Sequence, residues 1–311
     1  MSAPPPITVV TTTYNWPSVL RLAIPSVLAQ SFADFEYLIV GDCCTDETAD
    51  VVASFDDPRI RWHNLEENSG NQSGPNRWAL ERARGGAIAY LNHDDLWFPH
   101  HLQTLVDAMH EHRARVAHSM CLEISPPGYD YRNVQGMPRT GFFGPDEVMI
   151  MTSTLMHDAA LAKEVGGWID WRELAEVPTI HFIRRLVSAV GLHTVQEVSA
   201  IKFNSGDRKD SYRLRVADEQ ARYVELMRSD PDLRYREVLQ ALRSVTSGQR
   251  APKIPHSPPP EHPPAGWQIE QWRLIRGLSP MLDATAAEKL DEHADTPGLR
   301  RDMFRAGDDY A

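Results

Sequence analysis

Residues 92–95 read NHDD and follow directly on the apolar, strand-like run IAYL at 88–91. Adjacent carboxylates, Asp94 and Asp95, where a buried strand ends can hold a divalent cation, and that cation can bind a diphosphate which an acidic chain would otherwise repel. Other polar residues stand at comparable places. Thr11, Thr13, Tyr14 and Asn15 close the first apolar run, Asp42 follows the second, and Asn68 precedes a helical stretch. Tyr14 can stack on a base, and Asp42 can accept from an imide N–H. Taken singly, Asp42, Asp46 and Asp94 read equally well as turn formers and helix caps. Their joint placement favours a ligand.

The elements that would position them alternate. ITVVTTT (7–13), EYLIV (36–40), RIRWHN (59–64) and AIAYL (87–91) are short β-branched or apolar runs that predict strands. Between them, 17–30, 46–55 and 73–84 repeat apolar residues at helical spacing and begin with Pro, Asp or Ser, as first turns do; Gly85-Gly86 ends the third. This order predicts an α/β fold with a mainly parallel sheet flanked by helices. In such sheets the ligand crevice lies outside the carboxyl ends of the strands, where the polar residues above would meet.

The chain has 311 residues, 42% of them hydrophobic, and a formal charge of -11, enough chain for a substantial core and a charge that argues against a nucleic-acid partner. No run approaches the roughly 18–20 apolar residues of a membrane span, and MSAPPPITVV lacks the pattern of a signal peptide, so the cytoplasm is the expected location. Cys43, Cys44 and Cys121 show neither a disulfide framework nor zinc spacing.

The stretch ITVVTTTYNWPSVLRLAIPSVLAQSFADFEYLIVGDCCTDETADVV, continued by DPRIRWHNLEENSGNQSGPNRWALERARGGAIAYLNHDDLWFPHHL, resembles family 2 glycosyltransferases of the GT-A fold, closely over residues 7 to about 110 and more loosely to about 190. The resemblance implies a Rossmann-like GT-A domain and a nucleotide-sugar donor, with a UDP-sugar favoured. Thr11, Thr13 and Tyr14 would frame the nucleoside, Asp42 would bind its base, and Asn68, Asn76, Arg77, Asn92 and His93 would complete the donor site. Asp94 and Asp95 would hold Mn2+ or Mg2+. The chain departs from the family pattern at Asn92, where an aspartate is usual, at Pro75, where an arginine is usual, and after Gly166-Gly167-Trp168, where an acidic motif supplies the general base. In GGWIDWRELAEVPTIHFIRR the candidates for that base are Glu176 first, then Glu173 and His181, with Asp170 nearby.

The middle segment, 113–158, is expected to build the acceptor side from strands at 115–124 and 148–157 around a Pro/Gly-rich loop carrying Tyr129, Tyr131 and Phe142; His157 and His193 are expected on exposed strands. The predicted organisation is a GT-A domain at 1–205, a C-terminal helical extension at 206–250 split at Asp230-Pro231, a proline-rich linker at 251–266 and a helical tail at 267–311. In the tail, Trp267, Trp272, Leu274 and Ile275 need a surface: this chain, a second subunit or protein partner, or at most a peripheral membrane contact. Three functions fit. The favoured one is an inverting, metal-assisted transferase that moves a sugar to a hydroxyl acceptor in surface polysaccharide or glycoconjugate synthesis. A non-catalytic nucleotide-sugar-binding or scaffolding protein is the alternative, and a nucleotidyltransferase is disfavoured by the lack of a glycine-rich phosphate loop.

Overall fold

A computed structural model describes residues 6–137, 150–248 and 263–282. The first half alternates as its periodicity predicts: β1 (Ile7–Thr13), α1 (Pro17–Leu28), β2 (Phe35–Gly41), α2 (Thr48–Ala53), β3 (Ile60–Asn64), α3 (Ser73–Arg82) and β4 (Ala87–Tyr90). β1 is a near-continuous apolar or Thr run because both its faces are covered. Val9, with Tyr37 and Ile39 of β2, packs toward Leu20 and Ile24 of α1, while Val10, with Leu38 and Val40, packs toward Leu80 of α3. Burying each such side chain contributes about 1.5–3 kcal/mol. Gly85 lets the α3–β4 turn press on the start of β1, where a Cβ would stand 2.3 Å from the Thr8 nitrogen.

The second half comprises β5 (Leu96–Trp97), α4 (His101–Glu111), β6 (Val116–Ile124), β7 (Arg132–Gln135), β8 (Leu155–Asp158), α5 (Ala159–Glu164), α6 (Pro178–Val190) and β9 (His193–Lys202). Four further helices follow: α7 (Ser211–Leu214), α8 (Asp218–Ser229), α9 (Leu233–Thr246) and α10 (Trp267–Ile275). All nine strands join one sheet in the order β3-β2-β1-β4-β8-β6-β9-β5, with β7 beside β6. It is parallel across β3-β2-β1-β4 and mixed beyond, because β8 enters antiparallel between β4 and β6. β9 then runs parallel to β6 and antiparallel to the short β5, which carries the segment after Asp95.

Three expectations for this half change. The strand expected at 148–157 is, in its described part, a 3-10 turn at Thr152–Thr154 followed by the short β8. The cause is polar: the Ser153 hydroxyl donates to Asp95 at 2.5 Å, and the Thr154 hydroxyl donates to the Met151 carbonyl at 2.9 Å, which holds the chain out of the ladder. His157, expected on an exposed strand, is 0% exposed because β8 is central; its ring nitrogens bond the Tyr90 hydroxyl and the Asp158 carbonyl. The loop after β6 contains β7, whose Arg132 pairs with Glu237 of α9 at 2.9 Å. Tyr129 of that loop is exposed, and Phe142 lies outside the described residues. His193 is half-buried and stacks on His112 at 3.9 Å.

The break at Asp230-Pro231 separates α8 from α9 as predicted. Of the four α10 residues expected to need a surface, Trp272 finds one on this chain, whereas Leu274 is exposed and Trp267 and Ile275 are half-buried. Ile269, Trp272, Met281 and Leu282 pack with Trp171, Val177 and Ile180. Among the described residues, no helix is long and apolar enough to cross a membrane.

Candidate functional site

The carboxyl ends of β1, β2 and β4 bring three loops together. Asn15 adopts a positive φ of 44°, which its short amide side chain tolerates, and its Oδ1 accepts from the Thr45 N–H at 2.8 Å, tying the first loop to the second. The Asp42 N–H donates to the Thr13 carbonyl at 2.8 Å. The Asp42 carboxylate accepts from the Ser69 N–H at 2.7 Å and the Gly70 N–H at 3.0 Å, and its own carbonyl accepts from the Asn68 amide at 3.1 Å. Burial lifts the Asp42 pKa above the usual carboxylate value, against the pull of those N–H groups and of Arg273. Gly70 sits at φ +80°, and a Cβ there would meet the Met281 sulfur at 2.2 Å. The loop carrying Asn68 is therefore clamped between Asp42 and the C-terminal segment.

Thr11 is engaged within the sheet: its hydroxyl donates to the Leu91 carbonyl at 2.8 Å and lies 2.9 Å from the Tyr37 hydroxyl. Thr13 reaches the mouth, where its hydroxyl shares a 2.8 Å hydrogen bond with His93 Nδ1. The other ring nitrogen of His93 lies 3.0 Å from the Tyr212 hydroxyl, and Trp16 stands edge-on to both rings. Burial holds His93 below its ordinary pKa, so it stays a neutral hydrogen-bonding spacer. Tyr14 is half-buried and lies within electrostatic reach of Arg273, whose guanidinium burial holds below its ordinary pKa.

The expected metal pair divides. Asp95 is 0% exposed; its oxygens lie 3.2 and 3.3 Å from the Lys202 ammonium and also accept from the Phe203 N–H, the Ser153 hydroxyl and the Asn92 amide. Burial disfavours the charge on both partners: it lifts the Asp95 carboxyl above its usual range against the pull of Lys202, while on Lys202 Asp95, then Asp94, more than offset it and hold the ammonium's proton tightly. Asn92 is likewise engaged, its Oδ1 accepting from the Thr152 hydroxyl at 3.2 Å. Asp94 is only 4% exposed, and burial pushes its pKa up, but the Lys202 and Arg276 cations pull harder and leave it below the usual range. It is an ionised carboxylate facing two fixed cations.

Lys202, Tyr212, Arg273 and Arg276 are the site residues the sequence did not point to. Lys202 was concealed in a strand-end IKF, and the two arginines in a helix read only for its aromatic face. Among the described residues, no group of three or more His, Cys, Asp or Glu side chains stands close enough to hold a metal. The donor set does fit a Mg2+- or Mn2+-type ion that takes one carboxylate, Asp94, and draws its other oxygens from substrate phosphates and water.

The remaining predicted residues sit on α3 and on the segment from 170 to 181. Asn76 is buried in α3. Arg77 donates to the Trp168 carbonyl at 3.1 Å and lines a surface cavity with Glu81, Lys163 and Trp168. Glu176 is held by Arg184, whose Nη1 lies 2.6 and 2.7 Å from its two oxygens; with His181 and Arg185 it lines a second cavity, to which neither Asp42 nor Asp94 contributes. Glu173 is exposed, and Asp170 caps its 3-10 turn by accepting from the Arg172 N–H at 2.9 Å. The Gln72 amide donates to the Thr179 hydroxyl at 2.7 Å, joining the start of α3 to the start of α6, the helix that carries His181.

The model of the family described as "Glycosyl transferase family 2" matches residues 8–163. The putative teichuronic acid biosynthesis glycosyltransferase TuaG of Bacillus subtilis is 33% identical over 165 residues, 52% of this chain and 60% of that protein. The UDP-Glc:alpha-D-GlcNAc-diphosphoundecaprenol beta-1,3-glucosyltransferase WfgD of Escherichia coli is 32% identical over 103 residues, 33% of this chain and 40% of that one. The chain thus spans less than two thirds of the length of these relatives. Among solved structures, S. aureus TarS 1-349 in complex with UDP-GlcNAc superimposes with a TM-score of 0.55 at 18% identity, covering 77% of this chain and 71% of that one. The mannosyltransferase PcManGT from Pyrobaculum calidifontis, in complex with GDP-Man and Mn2+, gives 0.52 at 16% identity, covering 95% of this chain and 77% of that one. At those identities the likeness shows the fold, the GT-A arrangement expected from the sequence.

Proposed function

The chain belongs to glycosyl transferase family 2, and on that footing we propose that it transfers a sugar from a nucleoside diphosphate sugar to a hydroxyl acceptor in polysaccharide or glycoconjugate synthesis. The observation that carries the reading is the convergence of Asp42 and Asp94, 52 positions apart in sequence, at the ends of β2 and β4, the two strands that flank β1, with Thr13, Tyr14 and His93 between them. The names of TuaG and WfgD, and the UDP-sugar bound to TarS, favour a UDP-sugar donor and a cell-surface polymer product.

In this reading Asp42 accepts from the base, and Tyr14 covers it. Its two main-chain donors fix the carboxylate before the ligand arrives, so little ordering remains to oppose binding. A divalent cation, held by Asp94 together with the donor's phosphates, would supply Lewis-acid stabilisation of the departing nucleoside diphosphate. His93, neutral and held on both ring nitrogens, keeps Thr13 and Tyr212 at fixed separation along the donor. An inverting transfer also needs a base for the acceptor hydroxyl, and Glu176 on the α6 side is the proposed group. Arg184 orients it, and binding of the acceptor must draw it from that pair. Glu176→Gln, which keeps shape but not basicity, should lower turnover by about 10²-fold or more with donor affinity unchanged. Full transfer by that variant would move the role to Glu173 or His181.

The function is tested by thermal shift with UDP- and GDP-sugars, with and without Mn2+, followed by donor hydrolysis. Stabilisation by at least one nucleotide sugar, reduced in Asp42→Ala, is the expected result. No shift with any of them would overturn the reading.

A further inference from the structure

Resting on the donor-site reading above, we propose that Arg276, on the turn leaving α10, is the protein's own cation for the donor's diphosphate, so that the C-terminal helix is part of the donor site. The segment from 263 to 282 is fastened on two sides of the strand-end mouth. On one side the Gly266 N–H donates to the Leu174 carbonyl at 2.7 Å; on the other, the Asp210 and Tyr212 N–H groups donate to the Ile275 and Arg276 carbonyls at 2.8 and 3.0 Å. Internally, Glu270 accepts from the Met281 N–H at 2.7 Å, which closes the segment into a compact strap.

This strap sets two guanidiniums over the two ends of the mouth. Arg273 is 8% exposed and belongs to the Asp42 end: it donates to the Gly70 carbonyl at 2.6 Å and to the Ser279 carbonyl at 2.9 Å, and it lowers the Asp42 pKa. Those bonds make it a brace for the loop that holds Asp42. Arg276 belongs to the Asp94 end, within electrostatic reach of Asp94, His93 and Tyr212, and its Nη2 is 3.9 Å from where a Cβ on Gly206 would stand. It makes no ion pair among the described residues, and its Nε is buried without a hydrogen-bond partner.

A guanidinium has five donors in a planar fork suited to phosphate oxygens, and leaving a buried donor unmet is unfavourable. Among the described residues nothing uses that donor. The other cation near Asp94, Lys202, is already engaged by Asp95. The Nε of Arg273 is likewise unmet, but its other nitrogens are bonded to the Gly70 and Ser279 carbonyls, whereas Arg276, which lies over the Trp272 ring at 5.6 Å, keeps directional capacity for an anion at the Asp94 end. Arg77, the cation expected there from sequence, gives its Nε–H to the Trp168 carbonyl at 3.1 Å.

The test is calorimetric and needs no turnover: UDP against uridine, and GDP against guanosine, titrated into the full chain in EDTA and again in Mn2+. The wild type should bind the diphosphate better than its nucleoside even in EDTA. Arg276→Gln should weaken diphosphate binding in EDTA by about 10- to 100-fold, as expected for loss of a charge-assisted contact, and leave nucleoside binding within about twofold. Arg276→Lys should recover part of the loss, which a merely structural role would not produce. If Arg276→Gln keeps the wild-type ratio of nucleoside to diphosphate affinity, the proposal is overturned while the donor site stands. If the wild type binds neither diphosphate under either condition, the donor-site reading falls and this inference with it.

Discussion

At the starts of the parallel strands, Glu36 accepts from the Thr8 hydroxyl at 2.7 Å and the Arg84 N–H at 2.6 Å and pairs with Arg61 at 2.6 Å. At the ends of the same strands, Asp94 is as deeply buried, but beyond a main-chain N–H it faces cations held at a distance rather than side-chain donors bonded to it. Its neighbour Asp95 behaves like Glu36: both oxygens are met by Lys202, a main-chain N–H and two side-chain donors. The contrast separates carboxylates whose oxygens the fold already uses from one whose oxygens no described side chain is bonded to. Acidity and burial are common to all three. What differs is whether the lone pairs are already used.

The largest effect should come from breaking the saturated member at the strand ends. Asp95→Ala leaves the Lys202 ammonium buried without its counter-charge and should destabilise by about 3–5 kcal/mol, read from the urea midpoint. Asp94→Asn is the opposite experiment. Its midpoint should stay within about 1 kcal/mol of wild type, while transfer falls on the order of 10²-fold or more through lost stabilisation of the leaving diphosphate. Similar midpoints for the two variants would erase the distinction. At the strand starts, Glu36→Gln should cost about 1.5–3 kcal/mol, the range for hydrogen bonds to a charged group, and leave nucleotide affinity untouched.

The smallest effect concerns protons. Burial depresses His157 to a pKa of about 4 in the folded chain. The unfolded chain binds that proton near the ordinary value of about 6.5, so the histidine's contribution is complete above that pH and is lost as pH falls toward 4. The slope is about 1.4 kcal/mol per pH unit in that window. His157→Gln, which keeps a partner for the Tyr90 hydroxyl, should flatten the acid limb of the stability profile by that amount; an unchanged limb would mean the ring is protonated in the native chain.

The first four strands and three helices were legible because each signal is local: two-sided burial makes apolar runs, and helical spacing and first-turn residues mark α1 to α3. Asp42 and Asp94 were legible for the same reason, since each closes such a run. The bonding partners of Asp95 and Arg77 were not. Asp95 is distinguished from Asp94 by Lys202, 107 positions away, and no short-range pattern reports that pairing. Arg77 carries a helical position that reads alike whether it faces Trp168 or the mouth. α10 showed an apolar face in need of cover, but which surface it would meet was settled only by the exposed edge of the segment from 171 to 180.

The bond from Arg273 to the Gly70 carbonyl joins groups 203 positions apart, and it sets a timetable for the chain as it is made. When β4 has emerged, every loop of the nucleoside end exists. Lys202 comes more than a hundred residues later, and the guanidiniums of α10 later still. Contacts of such sequence separation close slowly, so the nascent chain passes through a long interval in which Asp95 has no counter-charge and the mouth has no cover. A ribosome-bound intermediate should accordingly carry a half-built cleft that a chaperone can hold, and competence for the donor should arrive in one step, when the strap docks.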